Sequence, residues 1–414
     1  MLQEIYNDLQ IFIFAYPLGM SLVWCLSSLF FYFRIEKDCL KANPYEELKP
    51  AGVSVLIPAH NESLHIEETV KTILESNYPL FEIIIVDDAS TDNTLEILQG
   101  LAAKYDNVRV LHFEQNRGKP TGLNYAALAA KYELLLIIDA DVLLDKDSMA
   151  NMALHFQKWP RVGAVTGNPK VRNRDTLIEK IQVAEYSSII GLIKRGQRIL
   201  GKVFTVSGAI VMFSKSAVFE VGLWDIDMIT DDINISWKLQ KRFYDIRFEP
   251  LALCWTVVPD NFKQLWRQRL RWAQGGVEVL VKHRDIWTSH KQRRFWPIYI
   301  EYFLSTVWAY VFMIFLVLSL ISLVYPVLGL EFKWMSGWLG FLITVVCLFQ
   351  FNLAFYYDKA YEHDLGKYSF YVVWYAILYW LLTAATVCKA VPKVLFANRG
   401  KNYTAVWTSP ERSK

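Results

Sequence analysis

The chain has 414 residues, of which 53% are hydrophobic and 15% aromatic, and its formal net charge is +3. The apolar residues are concentrated in a few runs, which is typical of membrane proteins rather than of one soluble domain. The small net charge argues against nucleic acid as a partner. The five cysteines show no metal-type spacing, and we expect them to be packing residues.

Four apolar runs are long enough to cross a hydrocarbon core of roughly 30 Å. The first, Leu9 to Phe33, carries no charged residue and lacks the cleavage site of a signal peptide, so we predict a retained anchor in the lipid bilayer. Three more lie near the other end of the chain, at Ile298 to Tyr325, Met335 to Tyr357 and Tyr368 to Val387. Trp and Tyr crowd their ends, as interfacial anchors do. The alternative is a set of very hydrophobic core helices.

Charges beside these runs predict an orientation, because loops rich in Lys and Arg stay in the cytoplasm. Residues 1–8 are acidic, whereas basic residues follow the first run: Arg34, Lys37, Lys41 and Lys49. The middle of the chain is therefore predicted to be cytoplasmic. Three further spans would leave the C-terminus outside, but the tail is basic at Lys389, Lys393, Arg399 and Lys401. These two expectations conflict.

Between Val53 and about Pro259, short apolar runs alternate with helical stretches. Such βαβ repetition predicts a doubly wound, mostly parallel α/β sheet. Strands are predicted at 53–57, 83–86, 108–111 and 134–138, with helices at 64–76, 93–105 and 120–131. The expected organisation is an anchor, an α/β domain, an amphipathic interface segment, an α-helical transmembrane bundle and a polar tail, at residues 1–34, 50–260, 261–296, 297–392 and 393–414.

The run LLLIIDAD, from Leu134 to Asp141, is a buried strand that ends in two aspartates. Open α/β sheets bind ligands at the carboxyl ends of their strands. Asp139 and Asp141 point to the same side of an extended chain and could share a hard cation such as Mg²⁺. The alternative is an Asp-rich turn after the strand.

Two other strands end in polar residues at the same predicted edge. The first is followed by PAHNE, which includes Pro58, His60 and Glu62. The second ends in Asp87 and Asp88, and capping of the next helix explains the residues after them but not these two. Their like charges must be compensated by a ligand, a metal or bases.

A Gly-Lys pair stands before another predicted helix, which has Pro120 in its first turn. Gly118 and Lys119 at a helix N-terminus suit a diphosphate. The alternative is that Lys119 is a solvated surface lysine. The shared position of these motifs at one edge of one sheet favours a binding site.

In combination, PAHNES at Pro58, VDDASTDNT at Val86, NRGKPTGLN at Asn116 and DAD at Asp139 resemble the nucleotide-sugar half of family 2 glycosyltransferases with the GT-A fold. The resemblance implies that uridine and ribose are held by Glu62, Asp87 or Asp88, and Asp139, beside Pro58 and His60. It also implies that Lys119 lies near the diphosphate. Asp141 would bind Mg²⁺ or Mn²⁺, although spacing alone allows Asp139 instead.

Thr230, Asp231 and Asp232 precede another predicted helix. Capping by Thr230, with two carboxylates in the first turn, explains them structurally. Alternatively, one carboxylate acts as a general base that takes the proton from an acceptor sugar hydroxyl. Thr-Asp-Asp resembles the Thr-Glu/Asp-Asp motif of processive synthases, and this match implies that Asp232 is the base.

The stretch from Phe262 to Arg294 is basic and amphipathic, which predicts a helix at the membrane surface. Within it Gln268, Arg271 and Trp272 fall at i, i+3 and i+4 and so share one face. A surface helix accounts for the arginine and the tryptophan but not for the glutamine. QRLRW resembles the Q-x-x-R-W signature of processive family 2 synthases, in which Arg271 would neutralise the diphosphate and Trp272 would stack on the acceptor sugar.

Four further stretches resemble the poly-β-1,6-N-acetylglucosamine synthases of biofilm exopolysaccharide. They are AVTGNPKVRN at 164–173, IQVAEYSSIIGLIKRGQ at 181–197, VSGA at 206–209 and VWTSPER at 406–412. By this resemblance Ser207 and Gly208 border the acceptor. The alternative is that Ser-Gly-Ala is a tight strand edge.

These resemblances imply a processive, inverting transfer from UDP-GlcNAc to a growing polysaccharide, with export across the bacterial inner membrane. Inversion is expected because one activated hydroxyl displaces UDP and no enzymic nucleophile stands in the motifs. Some relatives require a small membrane accessory subunit or a cyclic dinucleotide. Alternatives are a hyaluronan, chitin or cellulose synthase, a single-transfer enzyme with a polyprenyl phosphate acceptor, and an inactive pore or assembly subunit.

Overall fold

The computed structural model describes residues 2–324 and 338–397. These residues form two compact units. The sheet unit comprises residues 33–179 and 201–264, and the helical unit comprises residues 2–32, 180–200, 265–324 and 338–397. Several features named above lie outside the described residues: Tyr325, Met335, Arg399, Lys401 and VWTSPER.

The sheet unit contains eight strands, β1 to β8. In chain order they are Val53–Ala59, Phe81–Asp88, Val108–Phe113, Leu134–Ile138, Leu143–Leu144, Val162–Val171, Ile210–Ser214 and Asp245–Thr256. They form one sheet in the order β3-β2-β1-β4-β7-β6-β8-β5. The first four strands pair in parallel, as predicted. The second half is mixed, because β7 runs antiparallel between β4 and β6, and β5 runs antiparallel to β8, while β6 and β8 are parallel.

Helices pack on this sheet and bury both of its faces. The helical elements are Lys37–Cys39, Pro44–Glu46, Ile66–Leu74, Thr94–Lys104, Lys119–Ala129, Ser148–Lys158, Lys215–Glu220 and Asp231–Lys241. Side chains alternate along a strand, so Ile57 and Ile138 lie in one hydrophobic core and Leu56 and Ile137 in the other. All five residues of Leu134–Ile138 are buried, and this confirms that the segment is a strand buried on two sides.

The chain leaves the sheet unit between β6 and β7 and enters the helical unit at residues 180–200. The helical elements of this part of the chain are Leu2–Phe31, Tyr32–Glu36, Leu177–Glu185, Tyr186–Leu192, Ile193–Leu200, Phe262–Lys282, Arg284–Thr288, His290–Phe295, Trp296–Val324, Trp338–Asp358, Leu365–Tyr371, Val372–Trp374, Tyr375–Tyr379 and Trp380–Leu395. Tyr186–Leu192 is a π-helical segment. Such segments are uncommon in proteins, and many of those that occur lie at functional sites.

Within the described residues, three helices are long and apolar enough to cross a membrane: Asn7–Cys39, His290–Ser322 and Gly340–Asp358. They correspond to the first three predicted runs. The fourth run, Tyr368 to Val387, is not among them, although the chain is helical without a gap from Leu365 to Leu395, through the 3-10 segment Leu365–Tyr371, the π-helical segment Tyr375–Tyr379 and the α-helix Trp380–Leu395.

Contacts between the three long helices define their directions. Trp308 Nε1 donates to the Ile13 carbonyl at 3.0 Å and Tyr16 Oη donates to the Glu301 carbonyl at 3.1 Å, so Leu2–Phe31 and Trp296–Val324 are antiparallel. The C-terminal ends of Leu2–Phe31 and Trp338–Asp358 lie together, because the hydroxyls of Ser28 and Tyr357 are 3.3 Å apart. These two helices therefore run in parallel.

Gly167 lies at an irregularity in the pairing of β6 with β8, where the two backbones approach closely. A Cβ at this position would lie 2.6 Å from the Ala252 carbonyl oxygen and 2.7 Å from Ile210 Cγ2. We expect Gly167→Ala to lower stability by about 1–3 kcal/mol, because overpacking forces the backbone to shift. The apparent melting midpoint of the purified protein in detergent measures this effect.

Gly100 is the matched control, because a Cβ there would meet nothing within 4 Å. It lies inside the helix Thr94–Lys104, so Gly100→Ala is expected to leave the midpoint unchanged or raise it. An equal midpoint for Gly167→Ala and the wild type would contradict the prediction.

Candidate functional site

The register of the parallel strands brings their polar ends to one edge. Pro58 pairs with Val86 between β1 and β2, and Asp87 pairs with His112 between β2 and β3. Beyond the strand ends, His60 Nδ1 lies 2.7 Å from the Asp88 carbonyl oxygen. The motifs that follow β1 and β2 therefore meet, as predicted.

The two aspartates at the end of β2 have different environments. Asp88 accepts hydrogen bonds from the backbone N–H groups of Arg117 and Gly118, at 2.7 and 2.8 Å, and so holds the loop that precedes the helix Lys119–Ala129. Burial raises the pKa of Asp88, and these N–H groups oppose the rise. Gly118 has a φ of 83°, a left-handed conformation that favours glycine.

Asp87, by contrast, is fully buried and has one unsatisfied oxygen. Its Oδ2 lies 2.8 Å from His112 Nδ1, whereas its Oδ1 has no hydrogen-bond partner among the described residues. A buried acceptor without a partner is costly and points to a ligand or water that completes it. Asp87 is thus a ligand-binding candidate, and Asp88 organises the neighbouring loop.

Two residues after these strands adopt left-handed backbone conformations, namely Asn61 with φ 55° and Ala89 with φ 57°. Non-glycine residues rarely do so, and such strain is concentrated at functional sites. The conformation of Asn61 is held by its side chain, which accepts a hydrogen bond from the Thr91 N–H at 2.7 Å. The next residue, Glu62, is buried, and its N–H donates to Thr94 Oγ1.

Lys119 lies at the start of its helix and is largely buried. Its Nζ donates to Asp139 Oδ1 at 2.5 Å. Burial alone would lower the pKa of Lys119, but the carboxylates of Asp139, Asp231 and Asp232 outweigh burial and raise it above the usual range. The interpretation of Lys119 as a solvated surface residue is therefore wrong, since it is a charged group that faces three carboxylates.

Asp231 and Asp232 begin the helix Asp231–Lys241, as predicted. Thr230 occupies the cap position, but its side chain makes no capping bond and its Oγ1 has no partner within the described part of the chain. Asp232 Oδ1 accepts from the Ile233 N–H at 2.9 Å. Capping by Thr230 therefore does not account for this motif, although both carboxylates complement the helix dipole.

A narrow cleft joins these groups. It is lined by Lys119, Asp231 and Asp232 together with apolar side chains that include Val206, Trp224 and Ile235. Gly208 lines it too, and a Cβ at Gly208 would lie 3.7 Å from Asp232 Oδ2 and 3.8 Å from Lys119 Nζ. Glycine thus keeps open the space between the lysine and the carboxylate. The neighbouring Ser207 N–H donates to Thr166 Oγ1.

Asp139 and Asp141 lie in a turn that leaves β4, in which the Asp139 carbonyl accepts from the Val142 N–H. Asp141 is buried, and Asp139 is engaged by Lys119. The described residues contain no group of three or more His, Cys, Asp or Glu side chains placed to hold a metal. A pair of carboxylates nevertheless suits Mg²⁺, which takes water and phosphate oxygens as its other ligands.

Gln268, Arg271 and Trp272 lie on the helix Phe262–Lys282 and belong to the helical unit. Arg271 is exposed, whereas Gln268 and Trp272 are half-buried. Gln268 Oε1 is buried without a hydrogen-bond partner among the described residues. Residues 273–280 of this helix, polar ones included, are all buried, whereas its first residues are exposed, and the membrane-surface location stays a prediction.

Sequence reasoning missed three polar residues. His112 contacts Asp87, and its position at the end of a parallel strand beside β2 was a usable signal. Glu185 and Arg269 form a buried ion pair in the helical unit. Both stand inside stretches singled out above, but nothing in their spacing predicts that they meet.

Comparisons with known proteins agree with this geometry. Residues 54–222 match Glycosyl transferase family 2. A poly-beta-1,6-N-acetyl-D-glucosamine synthase of Staphylococcus epidermidis is 40% identical over 409 residues, which is 97% of this chain and 98% of the relative. The synthase of the same name from Staphylococcus aureus strain COL is 40% identical over 410 residues, with the same coverage of both chains.

The fold is also similar to that of a solved mannosyltransferase from Pyrobaculum calidifontis in complex with GDP-Man and Mn²⁺. The TM-score is 0.64 at 22% identity, over 96% of this chain and 100% of that one. The mixed sheet with its carboxyl-edge site is thus a GT-A-like glycosyltransferase fold. The chain belongs to glycosyl transferase family 2 and, within it, to the poly-β-1,6-N-acetyl-D-glucosamine synthases.

Proposed function

We propose that this enzyme transfers N-acetylglucosamine from UDP-GlcNAc to a growing poly-β-1,6-N-acetylglucosamine chain, processively and with inversion. The observation that carries the proposal is the cleft in which Lys119 faces Asp139, Asp231 and Asp232, with Gly208 between the lysine and Asp232. The cleft contains a cation, Lys119, that can bind a diphosphate, and a carboxylate, Asp232, that can accept the proton of a hydroxyl. The identity of 40% over 97% of the chain supports the choice of sugar and linkage.

The donor nucleotide is proposed to bind at the ends of β1 and β2. Asp87 Oδ1, buried without a partner among the described residues, accepts from the uridine. Glu62 contributes a second carboxylate, while Pro58 and His60 border the site. Asp88 acts indirectly, because both its oxygens hold the loop before Lys119.

Lys119 is proposed to contact the diphosphate. Its ion pair with Asp139 would then break, and Asp139 would contact the nucleotide or the metal instead. Asp141, with Asp139, would hold a divalent ion, Mg²⁺ or Mn²⁺. When bound, such an ion offsets the negative charge that develops on the leaving UDP. The high pKa of Lys119 keeps it charged at neutral pH, so it assists the same departure.

Asp232 is proposed to be the general base, and the neighbouring carboxylate of Asp231 adds a second negative charge beside it. It accepts the proton of an acceptor hydroxyl, whose oxygen bonds to the anomeric carbon as the bond from that carbon to the UDP oxygen breaks. A single displacement inverts the α-linked donor to a β product. The acceptor hydroxyl enters the space that Ser207 and Gly208 leave beside Asp232.

Gln268, Arg271 and Trp272 are proposed to serve the acceptor and the leaving diphosphate. We expect Trp272→Ala to abolish polymer formation while UDP binding survives, because the residues proposed to contact uridine, Asp87 and Glu62, and Lys119 for the diphosphate, belong to the sheet unit. Incorporation of radiolabel from UDP-GlcNAc into acid-insoluble polymer and titration of UDP separate the two effects. Phe262→Ala, which changes an exposed residue at the start of the same helix, is the control. Normal polymer from Trp272→Ala would refute the assignment.

The catalytic unit is proposed to be cytoplasmic, with the chain passing through the bacterial inner membrane several times. Three spans carry the described tail, with Lys389 and Lys393, back to the side that the positive-inside rule predicts. The antiparallel and parallel contacts of the long helices agree with alternating passes. A chain with only the three spans found within the described residues would avoid the conflict that a fourth span creates.

The decisive experiment uses purified protein in lipid with UDP-GlcNAc and Mg²⁺, with and without EDTA. We expect a polymer whose NMR spectrum shows β-1,6 linkages, formed only with the metal. Transfer of one sugar to a polyprenyl phosphate, or a requirement for a second sugar nucleotide as in hyaluronan synthesis, would overturn the proposal. Addition of an accessory membrane subunit or a cyclic dinucleotide shows whether either activates the enzyme.

A further inference from the structure

A buried ion pair connects two helices of the helical unit. Arg269 Nη1 and Nη2 donate to Glu185 Oε1 and Oε2, both at 2.7 Å. The side chains are 9% and 6% exposed, so the pair is almost completely removed from water. This two-pronged geometry fixes the plane of the guanidinium as well as its position.

The fixed guanidinium lies against Trp272. Its central carbon is 4.2 Å from the centroid of the Trp272 ring and 5.6 Å from that of Tyr379. Arginine stacks well on an aromatic face, and the attraction is stronger where water is excluded. Arg269 is three residues before Trp272 on one helix, which places both side chains on the same face.

Glu185 is the last residue of the helix Leu177–Glu185, at its junction with the π-helical segment Tyr186–Leu192. Burial raises the pKa of Glu185, and the adjacent Arg269 guanidinium opposes the rise. Removal of either partner would leave a buried charge unpaired, which is strongly destabilising. The position of Arg269 therefore depends on Glu185 and on the helix junction that presents it.

We propose that Arg269 is a positioning residue for Trp272, with the Glu185 carboxylate holding its guanidinium as a fixed platform that sets the plane of the indole ring. This inference rests on the proposed function, in which Trp272 stacks on the acceptor sugar. An indole held in one plane offers its free face to each incoming sugar ring. An indole without the platform adopts several orientations and binds the acceptor less tightly.

The test is the charge swap Glu185→Arg with Arg269→Glu, which keeps a buried ion pair but removes the cation from the face of Trp272. We expect the melting midpoint and the UDP affinity of the swap to stay near those of the wild type. The KM for a GlcNAc oligomer acceptor is expected to rise at least tenfold, with shorter products and an unchanged KM for UDP-GlcNAc. Arg267→Lys, at an exposed arginine on the same helix, is the control.

Wild-type acceptor KM and product length from the swap would show that the pair is merely structural and would overturn the proposal. If the swap does not fold, Arg269→Lys decides, because lysine keeps the charge beside Glu185 but not the planar platform. A raised acceptor KM with normal UDP affinity supports the proposal, and a normal acceptor KM refutes it. Failure of the wild type itself to elongate the oligomer would instead refute the proposed function.

Discussion

Asp232→Asn is expected to lower the rate of polymer synthesis by about 10²- to 10⁴-fold, the usual contribution of a general base. Asparagine has nearly the same shape as aspartate but cannot accept the proton of the attacking hydroxyl. The donor contacts lie elsewhere in the sheet unit, so the affinity for UDP should change little. Initial rates of polymer formation and titration calorimetry with UDP measure the two quantities.

Asp227→Asn is the control for this substitution, because Asp227 is an exposed aspartate that precedes the same helix. It should synthesise polymer at the wild-type rate. Asp231→Asn is expected to have an intermediate effect, since Asp231 also faces Lys119. Wild-type synthesis by Asp232→Asn would exclude Asp232 as the base.

Asp141→Asn is expected to abolish the dependence of UDP binding on Mg²⁺, because the proposed metal loses its charged ligand. Asp139→Asn should instead weaken UDP binding with and without the metal, because Asp139 is the proposed nucleotide contact. Titration of UDP into each variant in Mg²⁺ and in EDTA separates the two carboxylates. The expected signature is a Kd for Asp141→Asn that is the same in both buffers.

Asp106→Asn is the control for these titrations, since Asp106 is exposed at the turn before β3. It should keep the metal dependence of the wild type. If Asp141→Asn retains metal-dependent UDP binding, the assignment of the metal to Asp141 is wrong, and Asp139 becomes the ligand.

The parallel half of the sheet and its polar edge were predictable from the sequence. A strand buried on both faces needs an unbroken apolar run, and Leu134–Ile138 is such a run. A parallel sheet places all its carboxyl ends together, so the polar residues after β1, β2 and β4 had to be neighbours. The helix that begins at Asp231 was equally visible, because its first turn carries two carboxylates.

The mixed half of the sheet was not predictable in this way. Strand β7 follows a long excursion through the helical unit, and its insertion between β4 and β6 depends on contacts between residues far apart in sequence. The fourth apolar run illustrates a related difficulty. Its composition suits a membrane, but composition does not show that its helix begins with the 3-10 segment Leu365–Tyr371 and contains the π-helical segment Tyr375–Tyr379.

The strands, the carboxyl edge and the set of charged residues at the site follow from local features of the sequence, because they depend on apolar runs and on where these runs end. Which of these charges meet depends on how the chain folds. Both oxygens of Asp88 accept hydrogen bonds from a loop about 30 residues away, whereas Asp87 Oδ1 has no partner in the part of the chain that the structure describes. Lys119 pairs with Asp139, and Arg269 pairs with Glu185. The chemistry of a carboxylate depends on its burial and its partners, and residues distant along the chain supply both.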